Sequence, residues 1–437
     1  MKWIIAFIVF SVLVLFHEFG HFVVAKLNGV TVEEFSLGFG PRVLTAVYGG
    51  TRYSLKALLF GGSCQMKGMI TDPEEGPAEP EEGSFQSVSV GRRAAIIFAG
   101  PFFNFLLAFL CSLIVMSVVG YDPAKVLYVT EGSAAEKAGL KAGDVITSFM
   151  GSKIRIGRDL SSWFMLRDLK EGEEITISWK RGEESYSASY LPDVERRYMM
   201  GITYSLASEK AVIDQISVGS PLDAAGVRAG DVILKVNGHE ITTAQSLNEY
   251  FEENPLTEAE VQLELARGEH SYETSVVPVY TDYVRSGFQY NLYREPVSAA
   301  GAVRYSFVEV RYWIRTVLQS LGAMFTGRFS VNDLSGPVGV VDIVGTTYEE
   351  SKEEGPLMTW MNMINLVILL SANLGVMNLL PIPAIDGGRL VFLAVEAVRG
   401  KPVDQKVEMT FQTVAAVLLI MLMAYVMYHD VAMMLAH

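Results

Sequence analysis

Cysteine is almost absent from this chain: among its 437 residues only Cys64 and Cys111 are cysteines. The two lie in different kinds of segment and at no ligand-like spacing, which excludes a disulfide framework and a thiolate metal site. Any metal ion would therefore have to be held by histidine and carboxylate. Charge is scarce as well. Charged residues make up 19% of the chain, against about 25% in an ordinary soluble domain, while 50% are hydrophobic.

Basic residues are in the minority, with 35 Lys and Arg against 49 Asp and Glu. No stretch of the sequence clusters them into a basic stripe, so we expect no nucleic-acid partner. The mean hydropathy of +0.28 is that of a membrane protein with a sizeable polar part. The composition therefore excludes disorder and favours a chain embedded in a lipid bilayer.

Four apolar stretches are long enough to cross a membrane, which requires about 20 mostly apolar residues for some 30 Å of hydrocarbon. No small-x-small cleavage site follows the first stretch, so we interpret it as a membrane helix and not as a signal peptide. The stretches are Trp3–Phe16 continued by Phe22–Ala25, Ala94–Tyr121, Trp360–Pro381 and Met409–Tyr428.

Lysine and arginine near the helix ends predict the orientation, because cytoplasmic flanks collect basic residues. Seven of them flank one side of the four helices and three flank the other. We therefore expect a multi-pass protein of the cell (inner or plasma) membrane with both termini and residues 122–356 outside the cytoplasm. Residues 27–93 and 389–408 would face the cytoplasm.

Two segments between the apolar stretches have their own character. Residues 27–93 are rich in glycine and in β-forming residues. The β-forming runs are separated by Gly49-Gly50 and closed by Gly61-Gly62, which predicts hairpin strands. The acidic, proline-containing linker 72–83 predicts a solvated loop. Arg304–Phe325 has apolar residues at helical spacing and predicts an amphipathic helix, which would lie either on the membrane or on the outer domains.

Residues 122–356 contain an internal duplication. The pattern from Gly132 to Ile146 (GSAAEKAGLKAGDVI) recurs 87 residues later from Gly219 to Ile233 (GSPLDAAGVRAGDVI). The pattern resembles the PDZ domain in its bacterial, permuted order. PDZ domains bind an extended peptide at a sheet edge and receive its carboxylate in a backbone loop. We assign the loop at Gly201 to the first copy and the loop at Gly287 to the second. The grooves would either bind peptide ligands or only occupy space above the membrane.

The sequence His17-Glu18-Phe19-Gly20-His21 fits the HExxH pattern. Two histidines at i and i+4 share one helix face and can hold one metal ion, while the intervening glutamate acts as general base. At 1.5 Å per residue, His17 would lie roughly 21 Å into the bilayer. Ionisable groups at such depth are expensive and mark functional sites.

A tetrahedral catalytic zinc needs a third protein ligand. The residues after His21 lack the extended metzincin pattern, and the other histidines lie far away in the sequence on the outer side. Asp386, near the cytoplasmic end of the third apolar stretch, can meet the histidines. Pro381 and Pro383 break the helix before it, and such backbone survives at membrane depth only where it is buried or lines a polar cavity.

These motifs together resemble the site-2 protease family, in particular the bacterial regulator-of-sigma-E protease type of intramembrane zinc metalloprotease. The resemblance covers nearly the whole chain. The motifs that carry it are HEFGH at 17–21, AGPFFN at 99–104, the PDZ-like repeats, LSGPVG at 334–339 and NLLPIPAIDGG at 378–388.

The resemblance implies one zinc ion per chain, with His17, His21 and Asp386 as ligands and Glu18 as base. It also implies that the strands of 30–66 dip into the membrane and pair with an unwound substrate. There the sequence departs from the family: the usual PxGGYV is LFGGSC at 59–64, which leaves the substrate-strand geometry open. Asn378 would either position the substrate or pack between helices.

The predicted reaction is hydrolysis of a peptide bond in a transmembrane segment of a single-span membrane protein that another protease has already trimmed, such as an anti-sigma factor or a remnant signal peptide. The outer repeats would reject proteins with bulky outer domains. Two alternatives are a membrane metal transporter, since buried His, Glu and Asp also mark ion pathways, and an inactive scaffold that displays PDZ grooves. The tandem repeats argue against the first and the intact HEFGH and Asp386 against the second.

The predicted fold is a multi-pass α-helical membrane protein with four transmembrane helices, a membrane-associated β-hairpin region and two extracytoplasmic PDZ-like α+β domains. The predicted segments are helix 1 at 1–27, the β region and linker at 28–93, helix 2 at 94–121, PDZ-like domains at 122–207 and 208–295, the amphipathic helix and connector at 296–356, helix 3 at 357–388, a cytoplasmic loop at 389–408 and helix 4 at 409–430.

Overall fold

The computed structural model describes residues 2–69, 81–204, 210–217, 219–268, 270–325 and 336–436. Most of the acidic linker at 72–83, and residues 334 and 335 of the LSGPVG motif, lie outside the described residues. The chain divides into two compact units: one contains Met1–Pro123 and Tyr293–Met434, and the other contains Ala124–Leu292.

The helices and strands are numbered here in chain order. The helices are α1 Lys2–Leu27, α2 Val90–Val118, α3 Ala134–Lys137, α4 Gly157–Leu166, α5 Pro221–Ala224, α6 Ala244–Glu253, α7 Ala299–Phe325, α8 Pro337–Ser351, α9 Pro356–Asn378, α10 Asp386–Arg399 and α11 Gln405–Ala436. The strands are β1 Val32–Tyr48, β2 Thr51–Met66, β3 Val126–Val129, β4 Val145–Phe149, β5 Ser152–Lys153, β6 Ile175–Arg181, β7 Glu184–Tyr190, β8 Asp193–Met199, β9 Ile202–Tyr204, β10 Ile213–Ile216, β11 Val232–Val236, β12 His239–Glu240, β13 Val261–Arg267, β14 His270–Val276, β15 Val279–Arg285 and β16 Phe288–Tyr290.

Among the described residues, four helices are long and apolar enough to cross a membrane: α1, α2, α9 and α11. They coincide with the four stretches that the sequence singled out. The third ends earlier than expected, at Asn378, because the two prolines that follow lack the amide hydrogen a helix needs. Asp386 therefore does not end that helix but begins α10, which occupies most of the segment 389–408 expected as a loop.

Helix α2 lies at the centre of the first unit and packs against α1, α7, α9 and α10. Its buried face contributes Ala108 and Val115 to a cluster with Ile368 of α9 and Val310 of α7. Gly20 of α1 allows the closest approach, since a Cβ there would lie 2.4 Å from the carbonyl oxygen of Ala99. The amphipathic helix expected at Arg304–Phe325 is thus part of α7, and its apolar face packs on α2 and α9.

Strands β1 and β2 form the predicted hairpin, and each strand folds back on itself. Ser36 of β1 pairs with both Ser63 and Ser54 of β2, so Val32–Leu37 lies between two segments of β2. Hydroxyl pairs join the strands, with Ser36 Oγ 2.8 Å from Ser63 Oγ. The result is a small sheet of four side-by-side strand segments in which Gly62–Met66 is one edge and Arg42–Tyr48 is the other.

The second unit shows the duplication directly. Each copy has a four-stranded sheet, in the orders β5-β4-β6-β7 and β12-β11-β13-β14. In each copy a serine begins the short helix: Ser133 Oγ accepts from Glu136 N–H, and Ser220 Oγ accepts from Asp223 N–H. The helices therefore start with the same capping interaction at the two equivalent positions.

The strand pairing does not follow the order of the copies along the chain. β16 pairs with β3 of the first copy, while β9 pairs with β10 of the second. β8 and β15 pair over their full seven residues, from Asp193↔Arg285 to Met199↔Val279. The chain thus leaves the first copy along β8, forms the second, and returns along β15 to complete the first.

This nesting corrects our assignment of the two loops. Gly201 faces Ser220 of the second copy, where an added Cβ would lie 2.1 Å from the serine Cβ. Gly287 faces the first copy, and its carbonyl accepts from the Thr130 N–H at 2.9 Å. Each loop serves the copy to which the sequence order did not assign it, because the order of the repeats conceals the pairing of β8 with β15.

Candidate metal centre

His17 and His21 lie one turn apart on the same face of α1, as HExxH requires. Both are buried, at 8% and 7% exposure. Their Nε2 atoms are 3.2 Å apart, with the ring planes nearly perpendicular. Both rings therefore present the same nitrogen toward one point.

Asp386 reaches that point from the first position of α10. Its Oδ2 lies 3.1 Å from His17 Nε2 and 3.3 Å from His21 Nε2. The loop before α10 folds tightly over Gly387 and Gly388, whose added Cβ atoms would lie 2.0 Å from Leu380 O and 2.3 Å from Ile382 O. Side chains at these two positions would push the loop away from the start of α10, so both glycines help to place Asp386.

The three donor atoms fit a zinc ion. Ligands at about 2.0–2.1 Å from a tetrahedral zinc are about 3.3 Å from one another, and the observed separations are 3.1, 3.2 and 3.3 Å. Oδ2 of Asp386 is buried and accepts no hydrogen bond from the described residues. A cation held by the three atoms would satisfy this buried carboxylate oxygen.

One face of α2 contacts both imidazoles through two residues that are eight positions apart. His21 Nδ1 lies 2.9 Å from the carbonyl oxygen of Ile96, and His17 Nδ1 lies 3.1 Å from the side-chain nitrogen of Asn104. Gly100 lies between these two partners. A Cβ there would come within 2.3 Å of His21 Nε2 and 2.8 Å of His17 Cε1. The glycine leaves the space in which the two rings meet.

Glu18 is half-buried on α1 between the two histidines in sequence. The strand edge Gly62–Met66 runs beside it: a Cβ on Gly62 would lie 3.4 Å from Glu18 Cγ. On the other side this edge segment pairs with β1. The Glu18 carboxylate and a strand edge that pairs with β1 on one side therefore lie together near the three converging ligand atoms.

The structure brings together three of the five predicted site residues, since His17, His21 and Asp386 converge. Asn378, the fifth, is half-buried at the last position of α9 and lies outside that group. Asn104 was missed as a site residue, although it is a polar side chain in an uncharged membrane stretch. Its position opposite His17 depends on how α2 packs against α1, which the sequence does not reveal.

Comparison with known proteins identifies the class. Residues 5–422 match the family described as Peptidase family M50. The chain belongs to that family. This confirms the resemblance to the site-2 proteases and the assignment to the zinc metalloproteases.

Similar proteins cover the chain from end to end. The zinc metalloprotease RasP of Geobacillus kaustophilus is 28% identical over 99% of this chain and 98% of its own. RasP of Shouchella clausii is 29% identical over 99% of both chains. The regulator of sigma E protease of Haemophilus influenzae is 28% identical over 97% of both. A solved HtrA3 PDZ domain with a phage-derived ligand matches 21% of this chain and 92% of its own, at 24% identity and a TM-score of 0.17.

Proposed function

We propose that His17, His21 and Asp386 hold one zinc ion per chain and that Glu18 is the general base of an intramembrane peptidase. The observation that carries the proposal is the triangle of ligand atoms, 3.1 to 3.3 Å on each edge, formed by two buried histidines and a carboxylate. A transporter needs a path on both sides of its ion. Here α2 closes one side of the histidine pair with Ile96, Gly100 and Asn104.

Glu18 carries the proton transfers of the reaction. Bound zinc would polarise the scissile carbonyl and make a water molecule more acidic. Glu18 takes a proton from the attacking water and returns it to the departing amine. The half-buried position of Glu18 beside the ligand triangle suits both transfers.

The substrate must be locally extended, because the backbone groups of a helix are already paired with one another. Gly62–Met66 offers a strand edge next to Glu18, and β-addition at that edge would present an opened segment to the site. Asn378, at the end of α9, would donate hydrogen bonds to the substrate backbone. Gly62, at the start of this segment, lets the strand backbone approach Glu18 closely.

The finer topology belongs to the same proposal. Four transmembrane helices would place the site in the cytoplasmic half of the membrane and both PDZ-like domains outside the cytoplasm. The PDZ-like domains would admit only single-span substrates whose outer parts have been trimmed, and their grooves would bind peptide ligands. The basic residues near the helix ends support this orientation.

The test uses the full-length chain in lipid vesicles with a single-span model substrate. Glu18→Gln is expected to abolish cleavage while bound zinc stays near one per chain. Glu33→Gln, an exposed carboxylate on β1, serves as the matched control and should cleave normally. Unchanged cleavage by Glu18→Gln would refute the role of Glu18, and zinc binding that survives His17→Ala would refute the metal site.

A further inference from the structure

The side chain of Asn104 lies at the boundary of the proposed zinc site without belonging to the ligand set. It is fully buried on α2, at 0% exposure, and its Nδ2 is 3.1 Å from His17 Nδ1. Its Oδ1 is buried and accepts no hydrogen bond from the described residues. Its backbone carbonyl also accepts a hydrogen bond from Ser371 Oγ of α9 at 2.7 Å.

A histidine that binds zinc through Nε2 must carry its proton on Nδ1, and that proton needs an acceptor. His21 has one in the carbonyl oxygen of Ile96. His17 faces the amide of Asn104 instead. With the nitrogen of that amide toward the ring, two donors would oppose each other while the amide oxygen stays unsatisfied.

A rotation of the Asn104 amide by 180° removes the conflict between the two donors, because it exchanges oxygen and nitrogen without moving any other atom. The oxygen then accepts the Nδ1 proton of His17. The Nδ1 proton of His17 then has an acceptor in a buried place, where an unmet donor is unfavourable.

We propose that Asn104 is a positioning residue whose side-chain carbonyl fixes the tautomer and orientation of His17 for zinc. The proposal rests on the proposed zinc site and assigns the missing outer partner of one ligand. Asn104 acts through His17 and does not contact the substrate. Ile96 and Asn104, eight residues apart on one face of α2, would then hold the two imidazoles in the same way, one through the main chain and one through a side chain.

The test measures metal affinity in the Glu18→Gln background, so that peptidase activity plays no part. Zinc affinity is obtained by chelator competition, and the visible spectrum of the Co²⁺ form reports on the ligands. Asn104→Leu, which keeps the size but removes the acceptor, is expected to weaken zinc binding about 10- to 100-fold. Asn104→Asp, which keeps an acceptor, is expected to bind within a few-fold of the parent.

Two controls keep the outcome interpretable. Ser371→Ala removes the hydrogen bond to the backbone of Asn104 but leaves its amide, and it should keep the parent affinity. His17→Ala should lose zinc. If His17→Ala binds zinc as well as the parent, the zinc site itself fails. If His17→Ala loses zinc while Asn104→Leu keeps the parent affinity, or if Asn104→Asp is as weak as Asn104→Leu, the role of Asn104 is overturned and the zinc site stands.

Discussion

Gly100→Ala is expected to disable the proposed metal centre although it adds only one methyl group. The added Cβ would lie 2.3 Å from His21 Nε2 and 2.6 Å from its Cε1. Ordinary van der Waals contact begins at 3.4 Å. The ring of His21 would therefore have to retreat by about 1 Å, whereas zinc ligands tolerate displacements of only about 0.2 Å.

A lower limit can be set for the expected loss of zinc affinity. Removal of an outer partner of a zinc ligand already weakens binding by about 10- to 100-fold. Displacement of the ligand itself should cost more than about 100-fold in zinc affinity, with cleavage lost in parallel. Moving α2 away from α1 to make room for the methyl group would give up the close packing of Gly20 against the Ala99 carbonyl.

Gly91→Ala is the matched control for this experiment. Gly91 lies in the first turn of the same helix, and an added Cβ there has no atom within 4 Å. It should keep zinc and gain up to about 1 kcal/mol of helix stability. Zinc content, and zinc affinity by chelator competition, are measured on both purified variants. If Gly100→Ala bound zinc within about threefold of the parent, the packing argument would be wrong.

Two further predictions concern charges away from the metal. Arg93 of α2 donates to both carboxylate oxygens of Glu396 on α10, at 2.5 and 3.1 Å, with both side chains nearly buried. Arg93→Met should lower the free energy of unfolding by about 3–5 kcal/mol, because it leaves the buried carboxylate of Glu396 unpaired. The double variant Arg93→Met/Glu396→Met should recover most of that loss. In the second unit, burial alone would raise the pKa of Asp231, but hydrogen bonds from Arg267, Tyr272 and a backbone amide outweigh it and lower the pKa. The stability that ionised Asp231 contributes is therefore present above the unfolded-state pKa of about 4 and lost as the pH falls through the folded-state value.

Thermal unfolding of the full-length chain tests the prediction for the Arg93–Glu396 ion pair and the prediction for Asp231. For the ion pair, losses that simply add in the double variant would contradict the reasoning. For Asp231, the comparison is with Asp231→Asn at neutral pH and at pH values below about 4. The difference between the two proteins should be constant near neutrality and shrink in acid, and a difference that grows in acid would contradict the assignment.

Much of this protein can be predicted from local patterns. The four apolar stretches are helices because each has enough uncharged residues for one membrane passage. The duplication can be recognised in the sequence because both copies need the same serine cap and the same Gly-Asp turn. HEFGH fixes the relation of His17 to His21 by helix geometry alone, so that two of the three proposed metal ligands follow from spacing.

The remainder depends on contacts between distant parts of the chain. Asp386 was predicted near the right place, but only the fold shows that it begins α10, because the loop before it is shaped by the close approach of Gly387 to Leu380. The exchanged loops of the two repeats follow from the pairing of β8 with β15, whose paired residues are 80 (Met199–Val279) to 92 (Asp193–Arg285) positions apart and carry no local signal.

The sequence by itself determined the class of the protein, the spacing of its histidines and the chemistry available to them. The tertiary structure decided which neighbours make that chemistry possible. Asn104 is 87 residues from His17 in sequence, yet their side chains are 3.1 Å apart. Such a partner is set by the rotation and offset of one helix against another. These depend on the packing of whole helix faces, which no local pattern encodes.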